Sequence, residues 1–179
     1  MIPMIQTPPS GPLSTYQRAA LLLTAIALTV ALFLLSGGAH QNSPLDQLAN
    51  RSADPDSALV NERPTMLEFY ADWCEICREM APAVLTIEQR YGNELDVVMV
   101  NVDNPLWLDL IDHYNVNGIP HIELFDSDGK TRGRSLGLRS PEQLESLAQA
   151  LIENTPLPEL VGVGTTSIFA SPEQSKMSS

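Results

Sequence analysis

The sequence predicts an α/β domain, a mixed central sheet with helices on both faces, preceded by one transmembrane helix. Three observations predict it. A charge-free apolar run fills Ala19 to Leu35. Beyond residue 60, short strand-forming runs alternate with helical periodicity in the order β-α-β-α-β-β-α. The two cysteines of the chain, Cys74 and Cys77, fall between the first strand and the first helix of that series.

Residues 1–18 read as a short Pro-rich N-terminal segment, and 19–39 as the anchor. From Ala19 to Leu35 the run is 17 residues long, and 21 if extended to Ala39. At about 1.5 Å per residue, roughly 20 residues cross a hydrocarbon core of about 30 Å. The run is apolar on every face, which argues against a buried core helix. Gly37-x-Ala39 would fit a signal-peptide cleavage site. However, the run exceeds the roughly 7–15 apolar residues usual there, so an uncleaved anchor is expected. Arg18 flanks the N-terminal end, and no basic residue follows the run until Arg51. The N-terminus is therefore expected on the cytoplasmic (or stromal) side. The rest of a single-pass chain then faces a compartment where disulfides form.

Residues 40–53 read as a linker, with a turn of helix over Leu45–Asn50. The folded domain is expected over 54–154. Asp54-Pro55 gives an N-cap and first helical position for a short helix to about Val60. Thr65–Tyr70 is a strand interrupted by Glu68. Ile76, Met80, Val84, Ile87 and Tyr91 recur at three- and four-residue spacing, giving a helix over Glu75–Tyr91 that Pro82 should kink. Asp96–Val102 is a nearly continuous apolar run, hence a buried central strand. Pro105–Tyr114 is a second helix. His121–Phe125 and Thr131–Leu138 form a hairpin about Ser127-Asp128-Gly129-Lys130. Ser140, Pro141 and Gln143 open a last helix with a capping box, ending near Glu153. Residues 155–179 read as a flexible tail, in which Val161–Ala170 is apolar enough to dock.

Composition excludes several function classes. Twenty-two acidic residues against 10 basic ones leave a net charge of -12. Lys130, Arg132, Arg134 and Arg139 are spread rather than clustered, so no nucleic acid partner is expected. Two cysteines cannot build a disulfide scaffold. With His40, His113 and His121 at unsuitable spacing they cannot complete a structural zinc site. No metal or organic cofactor is expected.

The pair then either does redox chemistry or has no particular role. A C-x-x-C at the start of a helix places the first sulfur near unpaired N–H groups and about half a positive charge. Such settings lower a thiol pKa from about 8.5 to roughly 3.5–7.5. Cys74 is thus expected to be the exposed nucleophile, and Cys77, one turn on and partly buried, the resolving thiol. Cys74 attacks a target disulfide, a mixed disulfide forms, and Cys77 releases the reduced target. Glu75, a negative charge beside Cys74, should oppose the thiolate and make the pair less oxidising. Trp73 should shield the disulfide; a plain packing role is the alternative. His121 could touch substrate or lie on the surface.

Phe69-Tyr70-Ala71-Asp72-Trp73-Cys74-Glu75-Ile76-Cys77-Arg78, with Pro82 five past the second cysteine and Gly118-Ile119-Pro120 downstream, resembles the active-site stretches of the thioredoxin superfamily. The likeness covers about residues 44–154 and implies the thioredoxin fold. More narrowly, the anchor together with this stretch resembles the thylakoid-anchored thioredoxin-like proteins of cyanobacteria and chloroplasts. That resemblance implies a lumen-facing protein disulfide reductase fed with electrons by a CcdA-type transmembrane thiol carrier. It also implies disulfide-containing partners, apocytochromes among them, and a role in cytochrome c and cytochrome b6f assembly. Pro120 carries over as the cis-proline, leaving Ile119 free to pair with an extended substrate. Glu68 occupies the place of a buried Asp, which suits a general base toward Cys77; the alternative is a Glu facing solvent at a strand edge. Two departures stand out: Glu75 replaces the usual Gly-Pro, and Met99 falls where a basic partner for Glu68 would be. A disulfide oxidase or isomerase of the same fold and a non-catalytic tethered interaction module remain as alternatives.

Overall fold

A computed structural model describes residues 14–35, 43–159 and 164–168. The chain divides into two units, Met1–Gln41 and Asn42–Ser179. In the first, α1 (Thr15–Leu35) is a 21-residue helix, about 31 Å of rise. It is long and apolar enough to cross a membrane. The helix starts four residues before the expected anchor. The reason is a cap: Arg18 N–H donates to Ser14 C=O at 3.0 Å, while Ser14 N–H donates to Gln17 Oε1 at 3.0 Å. Residues 1–13 of the expected N-terminal segment and 36–39 of the expected anchor lie outside the described residues.

In the second unit the elements run α2 (Pro44–Arg51), α3 (Pro55–Ala58), β1 (Thr65–Tyr70), α4 (Glu75–Tyr91) and β2 (Asp96–Asn101). A 3₁₀ turn (Pro105–Trp107) leads into α5 (Leu108–His113). Then come β3 (Gly118–Ile119), β4 (His121–Phe125), β5 (Thr131–Leu136), α6 (Pro141–Ile152) and β6 (Ser167–Ile168). The main sheet has the order β2-β1-β4-β5, with β1 parallel to β2 and antiparallel to β4. All six residues of β1 are buried. Because successive side chains point to opposite faces, both faces of the sheet are covered. This is the mixed sheet with helices that the sequence predicts.

Three segments differ from expectation. Within 40–53, the turn of helix expected over Leu45–Asn50 is present and is longer, extending over Pro44–Arg51 as α2. Ser43 caps α2 in a capping box with Asp46, and Leu45 and Leu48 are buried in the core. Ser52 Oγ also accepts the Met99 N–H at 2.8 Å, tying the end of α2 to β2. The second helix is broken, because Asn104 caps a 3₁₀ turn opened by Pro105 before α5 begins. The tail is not wholly loose. Arg132 donates to Asn154 Oδ1 and Thr155 C=O at 2.6 and 2.9 Å, and Ser167–Ile168 forms a strand. Residues 160–163 and 169–179 of the expected tail lie outside the described residues.

Candidate functional site

β1 delivers the chain to the site and α4 receives it. Cys74 is the N-cap of α4: its Sγ accepts the Cys77 N–H at 3.1 Å, one of the helix's otherwise unpaired donors. Arg78 N–H closes the first helical turn onto Cys74 C=O at 3.1 Å. Cys74 and Cys77 are joined by a disulfide, their Cα atoms 5.3 Å apart. Once that bond opens, a sulfur at position 74 keeps an N–H donor and the positive end of a 17-residue helix, both of which stabilise a thiolate.

The expected exposure of Cys74 does not hold in this disulfide state. Both cysteines have 0% exposed surface. Helix geometry explains Cys77, which faces inward with Met80 and Ala81. For Cys74 the additional neighbour is Ser167 of β6, whose Oγ lies 3.8 Å from Sγ. Sequence reasoning missed this residue. Its signal was the docking-competent run Val161–Ala170, which says nothing about where it docks.

Ile119-Pro120 is a cis peptide bond, and it joins β3 to β4. Ile119 is fully buried and pairs with Ser167, so Gly118, Ile119 and Cys74 share one contact region with β6. Trp73 is half exposed and its Nε1–H donates to Asp103 Oδ2 at 2.8 Å. That bond orients the indole of the residue next to Cys74. The Glu75 side chain is 90% exposed and lies 3.8 Å from Arg78, so water and salt screen its field at the sulfurs.

Glu68 is buried in the middle of β1 rather than at an edge, in register with Met99 on β2 and Ile122 on β4. Neither carboxylate oxygen has a hydrogen-bond partner among the described residues. Burial alone pushes its pKa from 4.5 up to about 8, so the carboxyl is largely protonated at neutral pH.

His121, expected at the substrate or on the surface, is at neither place. It is buried, stacks edge-on against Phe69 with centroids 5.5 Å apart, and places Nε2 2.7 Å from Glu123 Oε1. Arg134 reaches the same oxygen at 3.3 Å. Alternate positions on one strand share a face, so His121 and Glu123 meet for that reason. Among the described residues, no cluster of His, Cys, Asp or Glu suited to a metal ion occurs.

Comparison with protein families matches the thioredoxin family over residues 48–150. Among curated proteins, the chain is 38% identical over 152 residues to the "Thiol:disulfide interchange protein TxlA homolog" of Synechocystis sp., covering 85% of this chain and 84% of that protein. It is 35% identical over 166 residues to "Thiol:disulfide interchange protein TxlA" of Synechococcus elongatus, covering 93% and 87%. It is also 40% identical over 135 residues to "Thioredoxin-like protein HCF164, chloroplastic" of Arabidopsis thaliana, covering 75% of this chain and 51% of that one.

Proposed function

This chain belongs to the thioredoxin family and is a thiol–disulfide oxidoreductase, and on that premise we propose that it works as a membrane-anchored protein disulfide reductase. The observation that carries the reading is the position of the Cys74–Cys77 pair. It caps a long helix that follows a buried strand, and Ser167, the residue in contact with Cys74, pairs with Ile119 next to the cis Pro120.

Cys74 is the nucleophile. Its thiolate attacks one sulfur of a partner's disulfide, forming a mixed disulfide and releasing the other partner sulfur as a thiolate. Cys77 then gives up its proton and attacks Cys74. The partner leaves as a dithiol and Cys74–Cys77 is left oxidised, so the two electrons come from the cysteine pair. Glu68, an unpaired carboxyl in the middle of β1, takes the Cys77 proton as general base. Trp73, Ile119 and Pro120 hold the partner: Ile119 offers backbone for strand pairing, Pro120 shapes that turn, and Trp73 supplies an apolar wall. Glu75 adds a modest negative potential that keeps the pair on the reducing side.

Helix α1 is the anchor. Its flanking Arg18 supports a cytoplasmic or stromal N-terminus and a domain facing the thylakoid lumen or periplasm. Reduction must then draw electrons across the membrane, which suits a CcdA-type thiol carrier as donor. Apocytochromes in cytochrome c and cytochrome b6f assembly are the proposed disulfide-bearing partners.

Cys77→Ser in the full chain tests the mechanism. Without the resolving sulfur, Cys74 is expected to accumulate in mixed disulfides that dithiothreitol dissolves, and sequencing them names the partners. If Cys77→Ser accumulates no more adducts than a Cys74→Ser control, the assigned roles are wrong.

A further inference from the structure

The backbone edge beside the disulfide already has a strand on it. Ser167–Ile168 pairs antiparallel with Gly118–Ile119, Ile119 opposite Ser167 and Gly118 opposite Ile168. Two more backbone bonds seat the residues just before: Gly164 N–H donates to Leu136 C=O, and Leu138 N–H to Thr165 C=O, each at 2.9 Å. The two segments approach so closely that neither tolerates a side chain at the crossing. A Cβ on Gly137, which sits at φ +78°, would run into the Gly164 backbone, and one on Gly164 would run into the Leu138 backbone. Ser167 Oγ comes within 3.8 Å of Cys74 Sγ, and Cys74 is left without exposed surface.

We propose that residues 164–168 are a pseudosubstrate strap: the chain's own tail lies as an extended strand where a polypeptide partner would pair, and it closes the Cys74–Cys77 disulfide to attack until it is displaced. The proposal rests on the reading of Cys74 as the exchanging sulfur. Exchange requires an incoming thiolate to reach a disulfide sulfur, and the strap occupies the approach to Cys74. Strand addition draws its affinity from main-chain hydrogen bonds, which any extended peptide offers, so a partner and the strap compete for the same donors and acceptors. Being tethered, the strap competes at a high effective concentration. Serine at 167 makes it inert, because a hydroxyl cannot enter a disulfide. Gly164-Thr165-Thr166-Ser167-Ile168 carries no charge, so closure should be insensitive to salt.

Two variants of the full chain test this. Gly164→Val opposes the close approach at the end of β5, where Gly164 N–H meets Leu136 C=O, without touching the cysteines. Its disulfide is expected to be reduced by dithiothreitol (which closes to its own ring disulfide as Cys74 and Cys77 become thiols) about tenfold faster than in the parent chain. Faster hydrogen exchange should be confined to the segments about 118–119 and 136–138. Equal reduction rates overturn the proposal. The second variant combines Ser167→Cys with Cys77→Ser and is treated with oxidised glutathione. Cys74 displaces one glutathione thiol and the sulfur at 167 displaces the other, so digestion should recover a peptide pair linked between positions 74 and 167. Recovery of Cys74 bound to glutathione with a free thiol at 167 overturns the proposal. Neither readout uses a protein substrate. A chain that passes both yet reduces no protein disulfide retains the strap and loses the reductase reading. One that reduces protein disulfides but whose own disulfide is reduced by dithiothreitol equally fast with and without Gly164→Val loses the strap alone.

Discussion

Cys74→Ser is expected to abolish reduction of protein disulfides, a loss of about a thousandfold or more, while the domain stays folded. The nucleophile in exchange is a thiolate, and a serine hydroxyl neither ionises near neutral pH nor forms a bond that Cys77 could resolve. The helix N-terminus that stabilises a sulfur anion at this cap gains nothing from a neutral hydroxyl beyond an ordinary N-cap bond. Loss of the disulfide itself costs little. The loop it closes spans only four residues, for which the chain-entropy account gives about 2 kcal/mol. Turnover of a protein disulfide by the full-length variant, alongside its thermal unfolding, measures both. Retained turnover with Cys74→Ser would place the chemistry elsewhere.

Glu68→Gln should change the pH dependence of both stability and turnover. The Glu68 carboxyl has its pKa raised from 4.5 to about 8 by burial. Below about pH 4.5 the group is protonated whether the chain is folded or not. Between about 4.5 and 8 the unfolded chain loses this proton and the folded chain keeps it, so stability falls as pH rises, by about 1.4 kcal/mol per unit from this one group. Above about pH 8 both states are ionised and the slope ends. Glutamine cannot titrate, so the variant should lack that slope and exceed the parent in relative stability toward the alkaline end. Chemical denaturation at a series of pH values reads it; identical slopes would mean that Glu68 is hydrated in the folded protein. In turnover, a base that must be ionised to accept the Cys77 proton gives a rate that climbs toward pH 8. Glu68→Gln should remove that climb and slow turnover on the order of 10²-fold. Sequence alone suggests that turnover suffers more than stability. The two bare oxygens add the pH-dependent stability term. Equal rates in the two forms would refute the base role.

What the sequence made legible follows from how local the determining physics is. The helix Glu75–Tyr91 falls where its apolar spacing puts it, running through Pro82, and β1 and β4 fall where short apolar runs end at polar turns. Ser140 with Gln143 caps α6 because a capping box is complete within four residues. The misses are non-local. The turn of helix expected over Leu45–Asn50 is there, but its packing into the core through Leu45 and Leu48 is not written in its own few residues. Cys74 meets Ser167, far along the chain, and no periodicity reports such a contact. The His121–Glu123 pair could have been suspected from two polar residues alternating on an apolar strand. The cover on both faces of the sheet is what turns that alternation into a buried pair.

The central claim is that Cys74 and Cys77 interconvert between disulfide and dithiol at a potential suited to reducing other proteins. Equilibrating the full-length chain with glutathione or dithiothreitol buffers, and counting free thiols at each ratio, measures it directly. A single two-electron transition at about -270 to -230 mV is predicted, the range of reducing members of this fold. A transition near about -120 mV, or none at all, would contradict the account.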